Sequence, residues 1–119
     1  FAWGPYPGVS VSGTTATAVG TGKRNTELLI AQNQKYPAAL ICAAYRAGGF
    51  ADWFLPGKDE LDLMYKNLKT KGLGGFTDSW YWSSSELNGN YARLQNFDNG
   101  YQYSNYKDIT DFVRAVRAF

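Results

Sequence analysis

The chain has 119 residues, a net charge of +2, nine tyrosines, four tryptophans, one cysteine and no histidine. That length forms a single domain around one core, residues 1–119. Its charges make no basic run and no apolar stretch reaches the length of a membrane span, so neither nucleic acid nor direct membrane insertion is indicated.

Residues 1–22 are rich in Gly, Ser, Thr and Val, carry Pro5 and Pro7, and predict an extended segment with short strands. The chain opens on Phe1 rather than methionine, which points to a fragment or a processed product with any signal or anchor upstream. A first helix is expected from Asn25 or Thr26, either of which can cap it, with Glu27 in its first turn where the dipole favours an acid. Pro37 opens a second helix, a tolerated place for proline, and Gly48-Gly49 is expected to end it in a left-handed conformation. Cys42 falls within its run Ala38-Ala39-Leu40-Ile41-Cys42-Ala43-Ala44, where a free thiol behaves as a small buried hydrophobe.

The clearest helix follows Pro56-Gly57. Leu61, Met64, Tyr65 and Leu68 recur at i, i+3, i+4 and i+7 and make one apolar stripe. Asp59, Glu60 and Asp62 crowd its start and Lys66, Lys69 and Lys71 its end, matching the macrodipole, and Gly72 terminates it. The carboxylates are read as a solvated first turn rather than an acid–base pair. After Gly74-Gly75 the period changes to two, and Trp80-Tyr81-Trp82-Ser83-Ser84-Ser85 predicts a strand with both tryptophans on one face. Short strands separated by the turn dipeptides Asn88-Gly89 and Asn99-Gly100 follow, and residues 113–119 predict a last strand. Helices first and strands after them argue an α+β fold, with Trp53, Phe54, Leu55, Trp80 and Trp82 as core candidates.

Chemistry is conspicuous by what is missing. Without histidine there is no Ser-His-Asp or Cys-His set, and Cys42 has no base to make it a nucleophile. One cysteine supports neither an internal disulfide nor a zinc site, and the glycines fit neither a phosphate loop nor a dinucleotide fingerprint. No cofactor or metal is therefore expected. Asp98, Asn99, Asp108 and Asp111 offer oxygen ligands for calcium, but their spacing is not that of an EF-hand. Arg114 and Arg117 are expected to pair with carboxylates inside the fold, the other reading being a clamp on an anionic ligand.

Residues 87–112 have a different character. Half of them are Asn, Asp, Tyr or Ser. Tyrosine supplies a large, stiff, amphipathic contact surface at low entropic cost, and Asn and Ser supply adaptable hydrogen bonds, the composition of an antibody combining site. A bland reading, polar edge strands with tyrosines shielding the core, stands beside it.

Several segments resemble one bacterial family, the Lcl-type C-terminal domain: Asn25-Thr26, the Ala-rich stretch around Cys42, Gly49-Phe50-Ala51-Asp52-Trp53-Phe54-Leu55-Pro56, Lys58-Asp59-Glu60-Leu61, Tyr81-Trp82-Ser83-Ser84-Ser85-Glu86 and Val113-Arg114-Ala115-Val116-Arg117. The resemblance covers roughly residues 20–119. It implies a C-type-lectin-like fold, similar also to formylglycine-generating enzymes, with two helices packed on twisted antiparallel strands. The enzymatic relatives use a cysteine pair that this chain lacks, and the Glu-Pro-Asn and Trp-Asn-Asp motifs of calcium-dependent lectins do not occur. The tail is also similar to the variable regions of proteins altered by diversity-generating retroelements, which mutate adenines. That resemblance makes Trp82, Ser83, Ser84, Ser85, Ala92, Gln95, Asn96, Phe97, Gly100, Lys107 and the chain from Val113 a framework. Leu87, Asn88, Asn90, Tyr91, Arg93, Leu94, Asn99, Tyr101, Tyr103, Ser104, Asn105, Tyr106, Asp108, Ile109, Asp111 and Phe112 become candidate variable positions.

The expectation is a non-enzymatic, receptor-type binding domain, monomeric in isolation, at a cell or virion surface through an upstream segment, with a protein or glycan ligand. Tyr91, Tyr101, Tyr103 and Tyr106 are the expected aromatic anchors and Arg93 a charged one. Asn88, Asn90, Asn99, Ser104, Asn105, Asp108 and Asp111 are the expected polar contacts. The alternatives are a fixed-specificity carbohydrate-binding module and a structural module of a surface or phage-tail assembly.

Overall fold

Helix-forming stripes in the first half and period-two segments in the second produce helices α1 (Gly22–Ile30), α2 (Pro37–Ala43) and α3 (Lys58–Asn67), then strands β1 (Trp80–Glu86), β2 (Tyr91–Asn96) and β3 (Gln102–Tyr106). The computed structural model describes residues 1–118. The fold is α+β, with the three helices read from the sequence rather than the two that the resemblance implies. The strands form one antiparallel sheet in the order β1-β2-β3, Trp82 opposite Leu94 and Leu94 opposite Tyr103.

This register sorts the side chains between two faces. Trp80, Trp82, Leu94, Ala92, Tyr103 and Asn105 share one face, and Tyr81, Gln95, Arg93, Tyr91, Ser104 and Tyr106 share the other. On the first face Trp82, Ala92 and Leu94 join the main core with Leu29 of α1, Ala38, Ala39 and Cys42 of α2, Leu55 and Trp3. On the second, Tyr81 packs with Phe97 and Leu61, flanked by Met64 and Tyr65 of the expected α3 stripe. The β1 side of the sheet is thus covered on both faces, while β3 stays mostly exposed. Of the tryptophan core candidates Trp82 is wholly buried while Trp53 and Trp80 are half-buried. Trp3, which no local pattern signals, is wholly buried; its indole donates to the Ser83 carbonyl at 2.7 Å and its ring meets Tyr36 edge-on at 5.3 Å.

Several boundaries differ from expectation. The first helix starts at Gly22, a turn before Asn25 and Thr26, and these two side chains are buried inside it. Asn25 donates to the Ala16 carbonyl at 2.9 Å, and the Thr26 hydroxyl donates to the Gly22 carbonyl one turn back at 2.8 Å and accepts from the Leu55 amide at 3.1 Å. They satisfy passing backbone instead of the helix end. The N-terminal amides are met by Glu60 of α3, whose carboxylate accepts from Gly22 at 3.0 Å, Gly20 at 3.2 Å and Gly57 at 2.8 Å. One acid therefore serves the starts of both α1 and α3, where both dipoles favour it, rather than sitting solvated. Helix α2 ends at Ala43, and Gly48-Gly49 close a separate 3₁₀ turn, Ala47–Gly49. Helix α3 stops at Asn67, earlier than expected, and a 3₁₀ turn over Lys69–Lys71 carries the chain to Gly72, left-handed with φ 69°.

The last strand expected over 113–119 does not form among the described residues, and Phe119 lies outside them. Val116 makes a single two-bond bridge with Phe54, both at 2.9 Å. The next antiparallel pair would fall on Pro56, which has no N–H to extend the ladder. Residues 1–22 likewise hold one bridge, Ala2 to Thr110, and no strand.

The three serines of β1 have a shared reason. They lie where the β1–β2 register is interrupted, between Trp82 and Glu86. There they bond to neighbouring segments: Ser85 donates to the Ala16 carbonyl at 2.7 Å and accepts from the Lys58 amide at 3.0 Å, Ser83 donates to the Arg93 carbonyl of β2 at 2.8 Å, and Ser84 accepts from the Asn25 carboxamide at 3.5 Å.

At the end of β1, Glu86 forms an ion pair with Lys107 at 2.9 Å, the two side chains 1% and 0% exposed. Glu86 also accepts from the Val11 amide at 3.0 and 3.2 Å, and the Lys107 ammonium donates to the Val9 carbonyl at 3.2 Å and lies 4.7 Å from the Trp3 ring centroid. Removing one partner of such a pair strands the other charge in a dry site, at a cost of roughly 3–5 kcal/mol. Urea unfolding of Glu86→Gln and Lys107→Met should each show a loss of about that size, with the double variant less destabilised than the sum of the singles. Additive losses would mean the charges are not coupled.

Candidate functional site

Residues 87–112 turn back twice on themselves because asparagines close the turns. The Asn88 carboxamide oxygen accepts from the amides of Asn90 at 2.9 Å and Tyr91 at 3.1 Å, and that of Asn99 accepts from Tyr101 at 2.9 Å. Gly100, with φ 85°, supplies the left-handed residue that the second turn needs. The Asn90 oxygen accepts from Gly8 at 3.1 Å, and that of Asn105 from Tyr106 at 2.8 Å. The Asn96 oxygen accepts from Asp98 at 2.8 Å, so all five asparagine oxygens of 87–112 are engaged with backbone. The tyrosines, Arg93, Ser104, Asp108 and Asp111 are left to present most of the chemistry.

The register divides these residues between the two faces of the sheet, so they do not form one continuous surface. Tyr91 and Tyr106 are directly opposed on one face with rings 4.9 Å apart, and Tyr6 joins them 4.5 Å from Tyr106. A hydrogen bond with Tyr106 raises the Tyr91 phenol above its ordinary pKa of 10.0. Arg93 and Ser104 continue that face, and the Arg93 Nε is buried with no hydrogen-bond partner among the described residues. Farther along it the face closes, because Gln95 donates to Asp62 of α3 at 2.9 Å.

On the opposite face Tyr103 lies 5.7 Å from Trp80 and 5.9 Å from Tyr101, centroid to centroid. From β3 the chain crosses this face and reaches the outer edge of β1, where the Phe112 amide donates to Trp80 at 3.1 Å and its carbonyl accepts from Trp82 at 2.9 Å. The crossing leaves a hollow of about 410 Å³ between Trp80, Leu94, Tyr103, Asn105, Ile109 and Asp111. Tyr101 and Tyr103 are 62% and 57% exposed. Asp108 is exposed in the crossing segment, and Asp98 in the β2–β3 turn. Among the described residues no three His, Cys, Asp or Glu side chains converge as a metal site requires.

Outside this region, Arg117 pairs with Asp52 through two bonds of 2.5 and 3.2 Å, and this holds the Asp52 carboxyl below its ordinary range. Arg114 departs from expectation: among the described residues it meets no carboxylate but donates to the Gly74 carbonyl at 2.6 Å, over the Phe76 ring at 4.1 Å. Cys42 is buried on α2, and burial pushes its thiol up to about 12, far from a reactive thiolate. No helix among the described residues is long and apolar enough to cross a membrane. No family model matches this chain, and no curated protein matches it.

Burial raises the Asp111 carboxyl from 3.8 to about 6, against a smaller opposing effect of the N-terminal ammonium. Its folded pKa lies above its unfolded one, so the folded state holds the proton more tightly. The resulting stabilisation is present below the unfolded pKa, about 4, and is lost as pH rises through about 6. The difference in unfolding free energy between wild type and Asp111→Asn should therefore shift against wild type across that window and be flat above it. Urea titrations of both proteins at several pH values measure the difference, and a flat line throughout would show that Asp111 is not desolvated.

Proposed function

We propose that this chain is a non-enzymatic ligand-binding domain of the Lcl-type, C-type-lectin-like kind, with recognition residues in 87–112 open to diversification by a retroelement. One observation carries this reading, the agreement between burial and the two expected classes of position. The framework residues Trp82, Ala92, Gln95, Phe97 and Lys107 are 0% exposed, whereas Tyr101, Tyr103, Tyr106, Ile109 and Phe112, expected to vary, are 39–62% exposed. Substitution is tolerated where it removes no core packing, so only the second class can change freely without unfolding the domain. Leu94, 4% exposed, belongs with the framework instead, and the half-buried positions, Asn90, Tyr91, Arg93, Asn105 and Asp111 in one class and Asn96, Gly100 and Val113 to Arg117 in the other, do not separate the two. Large aromatics left facing water on a well-packed scaffold also mark an interaction site. The ligand is a protein or a glycan, met at a cell or virion surface.

A second reading draws on a separate observation. β3 is the outer strand of the sheet, and such an edge accepts a strand from a neighbouring chain, as a structural module of an assembly would use it. Solution mass at rising concentration separates the two, since strand addition between copies would raise it.

Selection from a displayed peptide library and from a glycan array, with and without calcium, tests the binding role. Against ligands so selected, Tyr101→Ser/Tyr103→Ser should weaken binding by about 2 kcal/mol or more while shifting stability by only about 1 kcal/mol. Full binding by the double variant would place recognition elsewhere. The genomic mark of diversification is a nearby repeat of the coding segment that differs at adenines.

A further inference from the structure

We propose that the hollow bounded by Trp80, Tyr103 and Asp111 is a subsite for a cationic side chain, lysine or arginine, of a protein ligand. The inference deepens the recognition reading and rests on it.

The first observation is an acid without a partner. The other acidic side chains drawn into the fold have partners: Glu86 has Lys107 and the Val11 amide, Glu60 has three backbone amides, Asp62 has Lys66 and Gln95, Asp52 has Arg117, and Asp59 has Lys58 at 3.8 Å. The half-buried Asp111 carboxylate has no hydrogen bond or ion pair among the described residues. Its backbone is nevertheless pinned: its amide donates to the Phe1 carbonyl at 3.0 Å, and its carbonyl accepts from the Phe1 ammonium at 2.8 Å. That ammonium is the one charge acting on the carboxyl, and its hydrogen bond goes to the carbonyl instead. The remaining walls, Trp80, Leu94, Tyr103 and Asn105, carry no charge.

The second observation is the wall chemistry. Trp80 and Tyr103 stand 5.7 Å apart at 60°, with Tyr101 beyond Tyr103 at 5.9 Å. Indole and phenol faces attract a cation through the ring quadrupole, tryptophan most strongly. A carboxylate at one side and aromatic faces at the other make a site for a lysine or arginine head whose aliphatic stem lies against Leu94 and Ile109. The site is held in place before the ligand arrives, which lowers the ordering cost of binding. A bound cation also restores the counter-charge that desolvation makes costly, so affinity rises as Asp111 ionises.

The test is an amide and indole NMR titration of the full chain with Nα-acetyl-arginine amide, Nα-acetyl-lysine amide and the neutral Nα-acetyl-citrulline amide. Saturable shifts are expected at the Trp80 indole and the Asn105 and Asp111 amides with one or both cations, their relative affinities telling lysine from arginine. Binding should be about tenfold weaker at about pH 5 than at about pH 7.5, because most of Asp111 is then protonated. It should weaken at least as much for citrulline and in Asp111→Asn, and Tyr103→Ser should weaken it independently of charge. Citrulline binding as tightly as arginine, or Asp111→Asn binding arginine undiminished, overturns the cationic subsite while leaving the selected-ligand test of the wider face standing. Arginine shifts that map away from the hollow overturn it as well.

Discussion

The buried pair of Glu86 and Lys107 is the constraint around which the domain is arranged. Glu86 ends β1 and Lys107 follows β3, so their 2.9 Å contact fixes the two outer strands relative to each other across β2. The same two residues capture the N-terminal segment. Glu86 takes the Val11 amide, the Lys107 ammonium takes the Val9 carbonyl, and the Lys107 carbonyl accepts from Trp3 and Gly4 at 2.8 and 2.9 Å. A charge pair in so dry a place persists only because each partner is also hydrogen-bonded to backbone. Trp3 is carried by this anchoring into the core, where it is wholly buried in the same cluster as Leu29, Tyr36 and Trp82.

Backbone satisfaction by buried polar side chains recurs through the fold. The irregular segments 1–21 and 44–57 have few strand or helix partners of their own, and their amides and carbonyls are met by Asn25, Thr26, Glu60, Ser85 and Glu86. Unpaired buried backbone groups are costly, so these side chains are as structural as the apolar ones beside them. They also free the second half of the chain: with the loops tied to β1 and the helices, little of the exposed side of 87–112 is needed for folding.

What the exposed side presents is set by the two-residue period of β2 and β3. Tyr91, Arg93 and Tyr106 look one way and Tyr101, Tyr103 and Asn105 the other, with the β3 edge between them. The hollow lies wholly on the second side, walled by Trp80, Leu94, Tyr103, Asn105, Ile109 and Asp111.

Local features of the sequence were enough to place α3, the strand at Trp80–Glu86, both asparagine turns and the order of helices before strands, because periodicity and turn chemistry are short-range properties. They also marked which residues of 87–112 are tyrosine- and asparagine-rich enough to serve as contacts. They did not show that Asn25 and Thr26 are buried brackets rather than caps, since a cap and a bracket have the same residue types and differ only in which backbone passes nearby. Nor did they show that 113–118 makes one bridge and no strand, because that depends on its neighbour being Pro56. Trp3 lay in a stretch without period, and its burial follows from a contact with Lys107, distant in sequence. The division of the tyrosines between two faces, the pairing of Glu86 with Lys107 and the unpaired state of Asp111 were decided by tertiary structure alone: each depends on strand register and chain crossing, which bring together groups that no local pattern relates.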